Sequence, residues 1–326
     1  MGSANTFNPI KITMFKINFV LTLTLLFIPL LNYAQYTDQI NSNRPGETMS
    51  AFAVGKSVIQ LETGAYGISQ KHHLLNYVTN GYGIDATIRY GMFKEKLEFI
   101  ADIQYQSQLY EARLITMDQK ALKQTILGAK YLLFDPFKNQ ENKVNVYSWK
   151  VDKSFKWKQL IPAVSVFAGA NITSANNPYH FSSKAGISPK VIFITQNHLG
   201  DGSWVFVTNT IADYIGTEFP SYGYAVTLTK GLNKNWSGFI ENQGYKSDFY
   251  SDLIVRSGAA YLVTEDLQLD VSASASLKNT PSIFYGGIGF SWRYDGNYQE
   301  IRTPIEEEVI NVKKEKIKKK KRFLIF

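Results

Sequence analysis

Apolar and polar residues alternate one by one along two runs between residues 83 and 108, which a short turn at 91–94 separates. In the first run Ile84, Ile88 and Tyr90 fall on one side, whereas Asp85 and Arg89 fall on the other. Successive side chains of a β-strand point to opposite faces, so each run predicts a strand with one apolar and one polar face. Together the two runs predict a β-hairpin. Either a soluble β-sandwich or a membrane β-barrel could contain it.

Runs that are long enough for tilted membrane strands, which need about 9–11 residues, recur along the chain. About twelve of them are found, near residues 57–67, 83–91, 95–108, 123–134, 161–172, 188–198, 203–214, 221–231, 235–246, 253–263, 266–277 and 282–294. Single-chain bacterial outer-membrane barrels have an even number of strands. The pattern therefore predicts an all-β fold, a transmembrane antiparallel up-and-down β-barrel of about 12 strands over residues 57–295.

The amino terminus favours the membrane alternative. Lys16 precedes an apolar stretch at 17–31, which is shorter than the roughly 20 residues of a spanning helix and is interrupted by Pro29. Ala34 provides a small residue for cleavage, so residues 1–34 are predicted as an N-terminal extension with a secretory signal peptide. Asn32, two positions before Ala34, leaves the exact cleavage site open. Residues 35–56 are then expected as a periplasmic segment before the barrel.

Composition agrees with an exported barrel. The chain has no cysteine, so neither disulfides nor a thiol-linked lipid anchor is available, and attachment to the membrane has to come from the fold. Aromatic residues make up 14% of the chain, including 20 Tyr and 21 Phe. Such a content suits the aromatic girdles at the two edges of an outer-membrane barrel.

The lengths of the connections indicate how the barrel is oriented. Short connections at 91–94, 199–202, 231–234 and 264–265 each follow an even-numbered strand, and short turns lie on the periplasmic side. Longer polar connections at 68–82, 109–122 and 173–187 follow odd-numbered strands and are predicted as outer loops. The connection at 135–160 has periplasmic parity but is long, basic and aromatic. It is interpreted as an amphipathic periplasmic flap, an additional pair of strands or a membrane-surface patch.

The last two strands carry a family resemblance. Residues 260–271 and 284–294 resemble the end of the phenol-degradation meta-pathway (MetA-type) family of outer-membrane β-barrels, and segments 43–48, 60–64 and 127–131 are similar to the same family in order and spacing. The resemblance covers most of residues 43–294. It implies a transport role and a small solute of aromatic or apolar character. The family usually has Asp where this chain has Asn43.

The final strand also resembles an insertion signal. A glycine followed by aromatic residues at fixed offsets is the kind of closing strand that the barrel-assembly machinery reads, and the pattern here comprises Gly287, Phe290, Trp292 and Tyr294. The same alternation is expected of any closing strand with an apolar face toward lipid. Outer-membrane lipid and, during insertion, the assembly machinery are therefore the partners that the barrel predicts.

The polar faces of the strands predict a charged lumen. Its residues are Gln60, Glu62, Asp85, Arg89, Glu98, Asp102, Lys130, Gln268 and Asp270. Charges of both signs inside a narrow barrel have to be paired or hydrated, so a mutual network is expected. This network is interpreted either as a selectivity lining or polar plug, or as a salt-bridged core that fills a closed barrel.

The carboxy terminus loses the alternation after residue 294. From residue 300 onward the chain has nine basic and five acidic residues, with Lys318, Lys319, Lys320, Lys321 and Arg322 in one run. Residues 296–326 are expected to form a basic periplasmic tail, either solvated and disordered or docking to an acidic periplasmic or outer-membrane partner. Because much of the +8 net charge lies in the terminal segments of an exported chain, nucleic-acid binding is not predicted.

Catalytic chemistry is poorly supported. The four histidines lie in predicted loops or at a strand end and do not form a nucleophilic triad with a serine on adjacent strands. The adjacent pair His72 and His73 is expected to diverge in an extended chain, so no metal, cofactor or catalytic site is predicted. Two functional hypotheses remain: passive transport of a small solute, and a non-transporting structural or accessory subunit that docks through its basic tail.

Overall fold

The computed structural model of the chain describes residues 40–137, 157–180, 184–200, 202–248 and 250–296. Within these ranges twelve antiparallel strands form a closed barrel, in which each strand pairs with the next and β1 closes on β12. The strands are β1 (Val58–His72), β2 (Tyr77–Gly91), β3 (Leu97–Ala112), β4 (Ile115–Phe134), β5 (Ala163–Thr173), β6 (Gly186–Leu199), β7 (Trp204–Asp213), β8 (Ser221–Gly231), β9 (Trp236–Ser247), β10 (Ser251–Thr264), β11 (Leu267–Ser276) and β12 (Ser282–Asp295). The predicted barrel and its strand number are confirmed.

The two faces of the strands separate as the alternation predicts. Ile84 and Ile88 of β2 are about half exposed on the outer surface, as are Phe290, Trp292 and Tyr294 of β12. These side chains form an apolar and aromatic belt that faces lipid in an outer-membrane barrel. Among the described residues, none of the helical structure is both long and apolar enough to span a bilayer.

Two of the predicted outer loops are in fact strands. Residues 68–82 form the tops of β1 and β2, which pair as far as His72 and Tyr77, and residues 109–122 belong to β3 and β4 apart from a two-residue turn. Both faces of these hairpin tops carry polar residues. The alternation of apolar and polar positions is therefore lost, although the backbone hydrogen bonds between the strands continue. The third predicted loop lies between β5 and β6, where the structure describes residues 174–180 and 184–185.

The short connections lie at the end of the barrel where β1 begins and β12 ends. They are 92–96, 200–203, 232–235 and 265–266, which agrees with the predicted parity, and we call this the periplasmic end. The connection that begins at residue 135 leaves from the same end, but residues 138–156 lie outside the described residues. So do residues 1–34, which are predicted to contain a signal peptide, residues 35–39 and the basic tail from residue 297 onward.

Residues 40–56 lie inside the barrel and not in the periplasm as expected. This plug segment enters the periplasmic half of the lumen before the chain turns into β1 at Val58. Met49 and Phe52 of the plug segment pack against an apolar core on the inner wall of β3–β7. The core comprises Ile100, Ile126, Leu132, Ala163, Phe167, Ile192, Ile194, Val207 and Ile211, together with Ala51 of the plug segment.

Candidate functional site

The plug segment is held by side chains from every strand of the described barrel. The contacting residues, from β1 to β12, are Glu62, Arg89, Glu98, Lys130, Ser165, Gln196, Asn209, Thr227, Glu241, Arg256, Asp270 and Ser291. A segment that touches all twelve strands has to cross the lumen. It therefore determines what can pass between the two ends of the barrel.

The buried carboxylate of Glu241 on β9 anchors the middle of the plug segment. It accepts hydrogen bonds from the backbone N–H of Glu47 at 3.0 Å and of Thr48 at 3.2 Å, and from the Thr48 hydroxyl at 2.6 Å. Arg256 on β10 neutralises the same carboxylate at 2.6 Å. Because charge-assisted hydrogen bonds are about twice as strong as neutral ones, Glu241 is a main attachment point.

Most of the other contacts also recognise the plug backbone. Gln196 accepts the N–H of Ala51 at 2.9 Å, and Val54 donates its N–H to Glu98 at 2.8 Å. The ammonium group of Lys130 donates to the carbonyl oxygens of Ser50 at 2.7 Å and Phe52 at 2.9 Å. The wall thus satisfies the backbone groups that an irregular segment would otherwise bury without partners.

A chain of buried charges supports this backbone recognition. Arg89 lies between Glu62, at 2.9 Å, and Glu98, at 3.0 Å, and Lys130 also contacts Glu98, at 2.7 Å. Gln60 donates to Glu62 at 2.6 Å. Fully buried charges are tolerated when they are paired and hydrogen-bonded, and here both conditions are met by residues from four adjacent strands.

Arg44 is the side chain of the plug segment that the barrel wall binds most specifically, and we call its binding site on the wall the Arg44 seat. Its guanidinium is ion-paired with Asp85 of β2 and lies 3.2 Å from Asp270 of β11. Between these strands, paired Gly64 and Gly289 leave a notch on β1 and β12, and a methyl group on either glycine would collide with the guanidinium. Burial by itself lowers the pKa of Arg44, but the charges of Asp85 and Asp270 outweigh it and raise the pKa above its usual value.

Above the plug segment the lumen widens into a cavity of about 740 Å³. We call this the outer cavity; its floor includes Arg44, Pro45, Glu47 and Met49 of the plug segment, and its upper wall includes loop residues of 174–185 and 214–219. A volume of this size lies within the range of pockets that hold small molecules.

The structure places all nine predicted lumen residues on the inner face of the barrel. Gln60, Glu62, Arg89, Glu98 and Lys130 form one network, and Asp85 and Asp270 meet through Arg44. Asp102 stands apart and accepts hydrogen bonds from Thr87 and Gln124, whereas Gln268 donates to the carbonyl oxygen of Arg44. Each of these groups but the one around Asp102 contacts the plug segment.

Sequence reasoning missed the plug segment and the partners that face it. Ser165, Gln196, Asn209, Glu241 and Arg256 are polar positions on inward faces, so the period of two could have found them. The plug segment has no such period. The similarity of residues 43–48 to a family motif is the sequence signal that could have drawn attention to these positions.

The described residues contain no cluster of three or more His, Asp or Glu side chains that could bind a metal ion. His72 ends β1 and accepts the N–H of Leu75, His180 contacts Lys123 and Tyr214, and His198 hydrogen-bonds to Gln196. These contacts are structural and bring no serine into line with a histidine.

The sequence profile of the family described as "Putative MetA-pathway of phenol degradation" matches residues 42–294. This match begins in the plug segment and ends at the closing strand. The chain belongs to this family. Membership agrees with the resemblance found in the sequence and, with the closed barrel, identifies the protein as an outer-membrane β-barrel of the phenol-degradation MetA-type family. No curated protein matches the chain.

Among the solved structures similar to this family member are two channels and a translocator domain. An outer membrane channel from Pseudomonas putida F1 is 12% identical with a TM-score of 0.49, covering 78% of this chain and all of its own. The CymD monoaromatic hydrocarbon channel is 9% identical with a TM-score of 0.39, covering 74% of this chain and 90% of its own. The translocator domain of the autotransporter NalP from Neisseria meningitidis is 8% identical with a TM-score of 0.44, covering 74% and 89%. Likeness at this distance concerns the barrel alone.

Proposed function

We propose that this barrel carries a small solute passively across the outer membrane and that the plug segment gates the passage. The observation that carries the proposal is the contact of residues 40–56 with all twelve strands, beneath an outer cavity of about 740 Å³. A solute that enters the cavity meets the plug segment as its floor. Passage to the periplasm then requires residues 40–56 to shift.

The attachment of the plug segment is compatible with such a shift. Its anchors are mostly hydrogen bonds and ion pairs, such as those of Glu241 and Arg256, and these can be exchanged for water in a hydrated lumen. The family description, phenol degradation, favours an aromatic solute or one with apolar character.

Single-channel recording in planar bilayers tests the proposal. Glu241→Gln keeps the shape of the side chain but turns an amide N–H toward the backbone donors of Glu47 and Thr48, so it should loosen the plug segment. We expect the open probability to rise at least about tenfold over the wild-type protein. Asp118→Asn is the matched control, because Asp118 and its ion-pair partner Lys120 are both exposed. If neither protein conducts although both barrels are folded, passive transport is wrong.

A second candidate is a closed structural or accessory subunit. The observation that favours it is the same complete ring of contacts, which suits a barrel whose lumen stays shut. In that case the basic tail, with Lys318–Lys321 and Arg322 as candidate docking residues, would supply the function. Stoichiometric partners that co-purify from native outer membranes, together with absence of conductance in the Glu241→Gln protein, would support this candidate.

A further inference from the structure

The outer cavity is unusually rich in tyrosine. Its wall includes Tyr66, Tyr179, Tyr214, Tyr245, Tyr250 and Tyr285, all of them only partly buried. A tyrosine offers an apolar ring face and a hydroxyl group that both donates and accepts hydrogen bonds. Tyr66 and Tyr285 lie edge to face with their ring centres 5.9 Å apart, so two aromatic rings are neighbours in this part of the wall.

Beside these rings runs a ladder of neutral amides. The Tyr66 hydroxyl donates to Gln106 at 2.9 Å, the Gln106 amide donates to Gln108 at 2.6 Å, and Gln108 donates to Gln119 at 2.7 Å. Gln106 is almost fully buried, whereas Gln108 lies partly exposed in the cavity wall, so the Gln108 amide keeps hydrogen-bonding capacity for a bound molecule. Gln243 extends the same chemistry to the opposite wall through the Tyr245 hydroxyl at 2.8 Å.

The charges of the cavity are largely compensated among themselves. Lys190 pairs with Asp213 at 3.0 Å, Arg256 pairs with Glu47 at 3.4 Å, and Arg44 pairs with Asp85. The ammonium of Lys123 lies 5.7 Å from the ring centre of Tyr285. Asp102, Lys123 and Glu218 line the cavity outside these pairs and carry charges of both signs, so the wall favours neither an anion nor a cation, and a charged solute would lose its hydration without a matching charge.

A hydrocarbon fits this wall no better. It would cover tyrosine hydroxyls and glutamine amides without replacing their bonds to water, and unpaired polar groups are costly. A site lined in this way therefore rejects molecules that lack hydrogen-bonding groups. What remains is a solute with flat apolar faces and several neutral hydroxyl groups.

We infer that the outer cavity binds an uncharged ring that carries several hydroxyl groups. The inference rests on the proposed transport function and narrows its solute from aromatic or apolar in general to this class. Two sources share the chemistry, small saccharides and polyhydroxylated aromatic rings. Both can pack a ring face on tyrosine while their hydroxyl groups bond to the glutamine ladder.

Equilibrium binding to the full-length protein in lipid nanodiscs tests this inference. The probes are maltose and catechol for the two sources, toluene for a hydrocarbon and benzoate for an anion, each corrected for binding to empty nanodiscs. We expect maltose or catechol to bind at least about tenfold more tightly than toluene and benzoate. Preference for maltose would assign the saccharide source, and preference for catechol the aromatic source.

Two variants make the test specific to the wall. Tyr66→Phe combined with Gln106→Leu removes the top of the ladder and should weaken binding of the hydroxylated probe about tenfold or more. Tyr222→Phe is the matched control, because Tyr222 is 62% exposed on the outside of the barrel. Heat-modifiable mobility on gels verifies that each barrel is folded.

Equal or tighter binding of toluene or benzoate would overturn the inference, as would no binding of maltose and catechol or unchanged binding in the double variant. These outcomes differ from failure of the proposed function. A channel that conducts but shows no preference for hydroxylated rings keeps its function and loses only this solute class, whereas a folded barrel that binds them but never conducts keeps the binding site and loses the transport function.

Discussion

At the scale of single residues, Arg44 connects the plug segment to the wall more specifically than any backbone contact does. Its seat consists of Asp85, Asp270 and the notch left by Gly64 and Gly289. These four residues lie at one level on four neighbouring strands, since Gly64 pairs with both Asp85 and Gly289, and Gly289 pairs with Asp270. A planar guanidinium can bridge two carboxylates in this way, whereas a lysine ammonium cannot reach both.

Arg44→Ala should therefore release the plug segment. The Asp270 side chain is fully buried, and a buried charge that loses its partner costs about 3–5 kcal/mol. Because the chain has no cysteine, Met49→Cys gives a unique reporter in the plug segment. We expect a water-soluble thiol reagent to label this cysteine at least about tenfold faster in the Arg44→Ala background.

Gly64→Ala provides an independent check of the same seat. It leaves every charge in place but puts a methyl group where the guanidinium lies, so labelling at position 49 should accelerate in the same direction. Gly238→Ala on β9 is a suitable control, because an added methyl group there would meet only backbone at 3.8 Å. Unchanged labelling in both the Arg44→Ala and Gly64→Ala proteins would show that Arg44 does not hold the plug segment.

At the scale of elements, the start of the plug segment lies along the seam where the barrel closes. Ile40 donates its N–H to Glu265 beside β11, Ser42 hydrogen-bonds to Ser291 of β12 at 2.6 Å, and the N–H of Asn43 reaches Glu62 of β1 at 3.2 Å. The pairing of β1 with β12 joins the first and the last strand of the barrel. Residues 40–44 thus cross this seam on its inner side, and we call them the strap.

The strap should stabilise the seam more than the rest of the barrel. Replacing Ser42 and Arg44 together by alanine removes its side-chain contacts, and we expect hydrogen exchange of the backbone amides in β1 and β12 to accelerate about tenfold. Amides of β6 and β7, on the opposite side, should exchange at the wild-type rate. Equal acceleration in all four strands would contradict a local role and indicate general destabilisation.

The loop at 174–185 is attached to the wall through pH-sensitive contacts. His180 donates from Nε2 to the carbonyl oxygen of Lys123 at 3.1 Å, and its Nδ1 lies 3.1 Å from the Tyr214 hydroxyl. Burial lowers the pKa of His180 below its usual value, more strongly than its contact with Lys123 raises it. The folded loop therefore binds a proton less readily than the free loop does.

The lowered pKa of His180 determines the direction in which pH changes the attachment of the loop. With the pKa lowered in the folded loop, attachment is strongest above the ordinary histidine value of about 6.5 and weakens as pH falls through and below it. Proteolysis of the loop should be faster at pH 5 than at pH 7.5. In a His180→Gln protein this difference between the two pH values should disappear. Cleavage of the turn at 232–235 serves as the control that corrects for the activity of the protease at each pH.

The sequence predicted the strands well and the lumen contents only in part. Alternation identifies Ile84, Ile88 and Phe290 as lipid-facing because bilayer and lumen impose opposite polarities on successive residues. No such rule acts on the plug segment, because its residues contact residues that are far away in the sequence. Thr48 of the plug segment and Glu241 of β9, for example, are 193 positions apart. Contacts of this kind depend on closure of the whole barrel, so local periodicity does not reveal them.

At the scale of the whole molecule, the barrel closes without the basic tail. β12 ends at Asp295, its pairing with β1 begins at Val58, and the buried ion pairs of the described lumen, such as those of Arg89 and Arg256, form within residues 40–295. The excess of positive charge beyond residue 300 is therefore not needed to neutralise the lumen. This separation allows the tail to be removed without touching the plug segment or the outer cavity.

Deletion of residues 300–326 should leave heat-modifiable mobility, conductance and binding of the hydroxylated probe as in the wild-type protein if the barrel is a transporter. For an accessory subunit the same deletion should instead abolish co-purification of its partners, because the basic run at 318–322 would provide the docking charge. Replacing the five basic residues of that run by glutamate reverses their charge and keeps the length of the tail. This variant therefore distinguishes a requirement for the charge from a requirement for the length. A truncated protein that folds but no longer conducts would contradict the independence of barrel and tail, and would place the tail within the transport mechanism.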